Sequence, residues 1–141
     1  MLTLHPYLGF GGQAREALEF YRSCLGGTLD LMTVADSPVA AQIPAHMQAF
    51  ILHGSLTSGP LILNASDMTE DVGRTHSVTL ALQSDDLEHA RQVFDALAQG
   101  GTVTHPLSPS FWEGMFGQLT DRYGHHWMMN VIPQPQTNGQ D

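Results

Sequence analysis

The chain has 141 residues, 42% of them hydrophobic, enough for one ordinary domain with a real core. Its formal net charge is −9, and its basic side chains are five arginines with no lysine. No basic stripe exists to neutralise phosphates and no lysine exists to form a Schiff base, which argues against nucleic-acid binding and excludes imine catalysis through lysine.

No apolar run approaches the roughly 20 residues of a membrane-spanning helix, and the stretch Met1-Leu2-Thr3-Leu4-His5-Pro6 lacks the regions of a signal peptide. A single cysteine, Cys24, forms no internal disulfide, which fits a reducing compartment. The expected location is therefore cytoplasmic, with neither membrane nor nucleic acid as partner. Eight histidines in a chain with 13% charged residues invite a metal hypothesis, although most are expected at the surface.

Thr3 to Phe10 alternates as a strand with Pro6 near its start. Ala14, Ala17, Leu18, Phe20, Tyr21, Cys24 and Leu25 then fall on one helical face, and Gly26-Gly27 stops the helix. Cys24 sits on this apolar stripe and reads as a small core residue rather than a nucleophile. Thr28 to Val34 is a second strand, and Ala35 to His46, with Pro38 and Pro44, reads as a loop. Met47 to His53 and Leu61 to Asn64 are expected as strands around a Gly54–Pro60 turn region. The polar, aperiodic stretch from Asn64 to Thr75 is expected to join the two halves.

Ser77 to Gln83 opens the second half as a strand. Asp85 with Glu88 spells a capping box, followed by the stripe Leu87, Ala90, Val93, Phe94 and Leu97 and a Gly100-Gly101 stop. Thr102 to Thr104 is a short strand. Residues 115–120 and His126 to Val131 read as a hairpin around Asp121-Arg122-Tyr123-Gly124, with Gly124 able to take positive φ and Asp121 able to bond its own backbone. Alternation places Trp127 and Met129 toward a helix, and His126, Met128 and Asn130 on the other face. The same reasoning sets Phe50 and Leu52 in the core and Ala49, Ile51 and His53 opposite, with His5 and Tyr7 sharing a face.

The halves overlay without a gap. Leu8, Phe20 and Gly26-Gly27-Thr28 map onto Leu82, Phe94 and Gly100-Gly101-Thr102 at a shift of 74. This suggests a duplicated βαβββ unit and hence an α+β fold of two such modules. A single ferredoxin-like sheet is the runner-up, and it leaves the last hairpin unexplained. The module limits are about 1–66 and 76–132, within one domain spanning 1–141, with a linker at about 67–75 and a disordered tail at 133–141.

Several short pieces in order carry a resemblance. They are His5-Pro6-Tyr7-Leu8, the helix around Ala17 and Phe20-Tyr21, Leu25-Gly26-Gly27, Asp36-Ser37-Pro38, His53, and Phe111-Trp112 through Gly124-His125-His126-Trp127. Over nearly the whole chain the pattern resembles the PhnB-like branch of the vicinal oxygen chelate superfamily, which includes glyoxalase I, extradiol dioxygenases, and the fosfomycin and bleomycin resistance proteins. The resemblance implies curved sheets with helices outside and a small-molecule cavity between modules. It also implies a metal ligand on the first and fourth strand of each module, usually two histidines and two glutamates, polarising adjacent substrate oxygens.

Carried over, the four positions are His5, Leu63 or Asn64, Thr79 and Met128, of which only His5 is an ordinary ligand. The usual centre is expected to be lost, with no cofactor but a divalent metal still possible. A non-standard site from His5, His53 and His76, with His126 nearby, is the alternative. The branch's Asp-Arg pair after Phe-Trp-Gly is replaced by Gly114 and Met115, and its Asp-Pro before the turn by Asp121-Arg122. Some relatives carry a demethylubiquinone methyltransferase name, but no Gly-rich strand-to-helix loop suited to S-adenosylmethionine is present.

Three functions compete. The first is a protein of the resistance or sequestration type that binds a small molecule, without the usual metal, through His5, Tyr7, His53, Thr79, Trp112, Phe116 and Met128. Its acidity and aromatic candidates, Trp127 among them, suit a cationic or planar ligand. The second is a metal-dependent lyase, isomerase or dioxygenase acting on vicinal oxygens. The third is a structural dimer without a ligand. A homodimer is expected, since duplicated β modules expose edges that need cover.

Overall fold

The computed structural model describes residues 1–68, 78–110 and 114–132. The expected tail, Trp112 and His76 lie outside them. The chain separates into two compact units, Met1–Gly73 and Arg74–Asp141.

In the first unit, β1 (Tyr7–Gly9), α1 (Ala14–Leu25), β2 (Thr28–Thr33), β3 (Ile51–Ser58) and β4 (Leu61–Ser66) form a four-stranded sheet of order β1-β4-β3-β2 with a helix on one face. In the second, β5 (Leu80–Ser84), α2 (Leu87–Ala98), β6 (Thr102–Pro109), β7 (Met115–Thr120) and β8 (His126–Val131) repeat the plan in the order β5-β8-β7-β6. First and fourth strands pair parallel in each unit, and all other pairs are antiparallel. The fold is α+β, two βαβββ modules, and the single-sheet runner-up fails because the strands divide into two sheets.

Each helix buries a narrow stripe of four residues. Ala14, Ala17, Leu18 and Tyr21 on α1 map onto Ala90, Val93, Phe94 and Leu97 on α2 at a shift of 76, two more than the shift of the Gly-Gly stop. Phe20 is therefore half-buried whereas Phe94 is buried, and the two are not equivalent. Leu87, expected on the stripe, is 40% exposed, because the stripe begins at Ala90. The two Gly-Gly stops each do two things. Gly26 and Gly100 both take φ 77°, and a Cβ on Gly27 or Gly101 would collide with the carbonyl oxygen of Thr57 or Thr120. The second glycine thus lets the chain leaving the helix pass against its neighbouring strand.

Other boundaries move for identifiable reasons. β1 is shorter than expected, with Thr3 and Leu4 exposed ahead of it. The expected loop between β2 and β3 contains two 3₁₀ turns, Ala40–Gln42 and Ala45–Met47, so β3 begins later than Met47. Gly54 lies inside β3 rather than in a turn. A Cβ there would meet Leu18 at 2.5 Å, so this glycine is where α1 presses on the sheet. The turn is Gly59-Pro60, with Gly59 at φ 57°. β6 runs on to Pro109; it pairs only with β7, so its prolines sit on an edge where a missing N–H costs little.

The expected capping box is absent. Asp86, not Asp85, caps α2, its carboxylate accepting from His89 N–H at 3.1 Å. Ser84 decides between the adjacent carboxylates: its hydroxyl accepts from Asp86 N–H and donates to the Asp86 carbonyl, closing a local turn at the end of β5.

The closing hairpin forms as read. Gly124 sits at φ 90° and its N–H donates to the Asp121 carbonyl at 2.9 Å. A β-branched side chain is strained at that φ, so Gly124→Val is expected to cost about 1–3 kcal/mol. Thermal unfolding checks this, and an unchanged midpoint would show that the hairpin does not depend on the turn.

Candidate functional site

Each sheet has one face against its helix, so the side chains on the other face are the candidates for binding. In the first unit Leu8, Ile51, Leu56, Leu63 and Ala65 are buried, so Tyr7, His53, Ser55 and Asn64 take the opposite face. Tyr7, Asn64, Ser55 and Asp30 pair in one row across four strands. This also settles the fourth-strand position: Asn64, not Leu63, lies away from α1.

Ile51 is not where alternation placed it. It is fully buried, because the ladder with β2 jumps from Met32↔His53 to Thr33↔Ile51 and leaves Leu52 as a bulge. The bulge inverts the parity on its two sides, so Ile51 enters the core while His53 keeps the outward face. Two residues satisfy its backbone. Ser66 Oγ donates to the Leu52 carbonyl at 2.7 Å, and Asp67 Oδ2 accepts from Ile51 N–H at 2.9 Å. Asp67 Oδ1 meanwhile accepts from Gly12 and Ala14 N–H at 2.8 and 2.9 Å, filling the N-terminus of α1 where Gln13 gives no side-chain cap. His53, so placed, meets Tyr7: the phenol oxygen lies 2.9 Å from Nδ1, with ring centroids 5.6 Å apart. His5 is exposed ahead of β1.

In the second unit Leu119, Trp127, Met129 and Val131 are at most 3% exposed on the α2 side. The other face carries two rows: Ala81, Met128, Gln118 and His105, then Gln83, Asn130, Phe116 and Ser108. Phe116 meets His105 edge-on, centroids 5.3 Å apart. Near the hairpin end, Thr79, Thr104, Gln118, Leu119, His126 and Trp127 line a cleft of about 190 Å³, and His126 Nδ1 lies 2.9 Å from Thr120 Oγ1. Trp127 is core, its indole N–H donating to Asp121 at 2.8 Å.

The expected site residues thus fall into two sets, His5, Tyr7 and His53 in the first unit and Thr79, Phe116 and Met128 in the second; Trp112 lies outside the described residues. Within the first set, Tyr7 and His53 are in direct contact. Gln118 and Thr104 were missed as lining residues. Gln118 was readable, since it alternates with Phe116 on a strand whose limits were correct; Thr104 lies on a strand that runs well past its expected end. Ser55 was hidden by reading Gly54 as a turn.

The sequence profile of the Glyoxalase/Bleomycin resistance protein/Dioxygenase superfamily matches residues 3–129. The chain belongs to that superfamily. It is similar to Protein YjdN of Escherichia coli, 31% identical over 146 residues covering 96% of this chain and 99% of that protein. Among solved structures it resembles PA1353 from Pseudomonas aeruginosa, with TM-score 0.84 and 38% identity over 95% of this chain and all of that one. The fold is shared as well with a structure from Bacillus cereus titled as a putative 3-demethylubiquinone-9 3-methyltransferase, PhnB protein (TM-score 0.72, 22% identity, 93% of this chain and 100% of that one).

The metal positions that the resemblance implies can be tested on donor chemistry. In this chain they hold His5, Asn64, Thr79 and Met128, which is one imidazole, a neutral amide, a hydroxyl and a thioether, with no carboxylate. Among the described residues no three His, Cys, Asp or Glu side chains come together. This donor set does not fit a divalent ion of the superfamily type. Of the alternative histidine set, His53 is committed to Tyr7 through Nδ1, and His76 lies outside the described residues.

Proposed function

We propose that this chain is a PhnB-like, small-molecule-binding member of its superfamily that works without the usual metal centre, as a cytoplasmic homodimer. The observation that carries the reading is the makeup of the face of the second unit's sheet that is turned away from α2. Phe116, Gln118, His126, Met128 and Asn130 are all half-buried there, offering an aromatic edge, a thioether and hydrogen-bonding groups without a formal carboxylate or cation. Such a surface suits a ligand held by apolar contact and a few directed bonds. The Tyr7–His53 pair and Asn64 offer a second polar surface of the same kind in the first unit.

Three measurements test this. Protein purified without a histidine tag is expected to hold no stoichiometric zinc, nickel or iron, and His5→Ala to leave metal content unchanged. Thr79→His with Met128→Glu should then raise metal affinity, since it restores two strong donors at two of the four positions. About one tightly held metal per chain, lost in His5→Ala, would overturn the reading in favour of metal-dependent chemistry. Ligand binding is read by thermal shift against a panel of neutral aromatic heterocycles, since a ligand bound only by the folded state raises the midpoint. Light scattering at micromolar concentration should give a dimer mass.

A further inference from the structure

Among the described residues of the second unit, one buried side-chain atom has no hydrogen-bond partner: Asn130 Oδ1. Asn130 stands on β8 between Gln83 of β5 and Phe116 of β7, on the face turned away from α2, because its neighbours Met129 and Val131 are buried against the helix at 3% and 2% exposure. A buried carbonyl oxygen that accepts nothing carries its full desolvation penalty, and an apolar side chain would avoid that cost. Such an orphan calls for a partner that arrives from outside. The atom is an acceptor, so the partner must bring an N–H or O–H. Phe116, the cross-strand partner of Asn130 on the same face, puts an aromatic residue in the neighbouring position, its ring edge-on to His105, and Gln83 and Met128 add no formal charge.

Resting on the binding reading above, we propose that Asn130 selects the ligand by accepting one N–H from a neutral planar molecule whose ring lies near Phe116. The side chain is retained at some expense to folding because the ligand completes it, the pattern expected where binding and stability pull apart. A molecule of the same shape with that hydrogen replaced by methyl leaves the acceptor unmet and adds a steric conflict, so the two should differ by at least about tenfold in affinity.

The probes are quinolin-2(1H)-one, which carries a lactam N–H, and its N-methyl derivative, titrated against wild type and Asn130→Leu by calorimetry alongside thermal unfolding without ligand. The expected result has three parts: Asn130→Leu melts about 3 °C or more above wild type, wild type prefers the N–H probe at least about tenfold, and the variant shows no preference. A lower midpoint for Asn130→Leu would overturn the proposal, because the oxygen would then have a structural partner. Equal binding of both probes by wild type, or a preference that survives in the variant, would overturn it while leaving the binding function standing. If neither probe binds at millimolar concentration, the donor preference is refuted whatever the midpoint, and the binding function is left to the wider ligand panel and the metal measurement.

Discussion

Asp67→Ala is expected to destabilise the protein by about 3–5 kcal/mol, a drop of about 10–15 °C in melting temperature for a chain of this size. Asp67 is 6% exposed and its two oxygens accept three backbone N–H groups, from Gly12, Ala14 and Ile51. Bonds to a charged acceptor contribute about 1.5–3 kcal/mol each, and truncation leaves buried donors without partners; the sum is discounted because the three share one carboxylate. The site also sits at the N-terminus of α1, where negative charge is favourable.

Asp67→Asn should fall between, since an amide keeps one oxygen but turns an NH₂ toward one of the donors. Asp30→Ala on exposed β2 is the control, expected within about 0.5 kcal/mol. A loss under about 1 kcal/mol for Asp67→Ala would mean that water replaces the carboxylate. The effect should reach the binding face as well. Asp67 holds the bulge at Leu52 that turns His53 toward Tyr7, so the variant should also disturb the His53 imidazole resonances at temperatures where it is folded.

Asp121→Ala is the second large effect, expected at about 3–4 kcal/mol. Its carboxylate is 3% exposed and accepts from Tyr123 N–H, His125 N–H and the Trp127 indole N–H at 2.8, 3.1 and 2.8 Å. It therefore fastens the turn to the core residue of β8 just beyond it. Trp127→Phe removes the indole donor but keeps both turn bonds, and a double-mutant cycle between the two isolates the Trp–Asp bond. Coupling is expected at about 1–2 kcal/mol, being one hydrogen bond to a charged group. Additive losses would show that Asp121 serves the turn alone.

These two carboxylates also mark the limit of what the chain discloses by itself. Asp121 was legible as a turn former because its backbone partners are two and four residues away. Asp67 is not, since the residues around it spell only a polar linker. Its partners lie 16 to 55 residues back in the chain, and nothing in the spacing around residue 67 points to them. The same contrast separates the hairpin, whose strand limits were correct, from β3, whose limits and face were not. Gly54 looks like a turn glycine until Leu18 is placed above it, and alternation across Ile51 to His53 fails because a bulge is a feature of two paired strands rather than of one.

What the sequence determined alone was therefore local: the two helices and their stops, the alternation of β7 and β8 around Gly124, the repeat, and the poor donor set at the expected metal positions. Those follow from periodicity, from glycine's access to positive φ, and from the chemistry of single side chains. Tertiary structure decided the rest. Pairing chose Asn64 over Leu63, the bulge set His53 against Tyr7, and burial without a partner singled out Asn130. Each of these depends on which strand lies beside which, and sheet pairing joins residues far apart in sequence, so no local pattern encodes it.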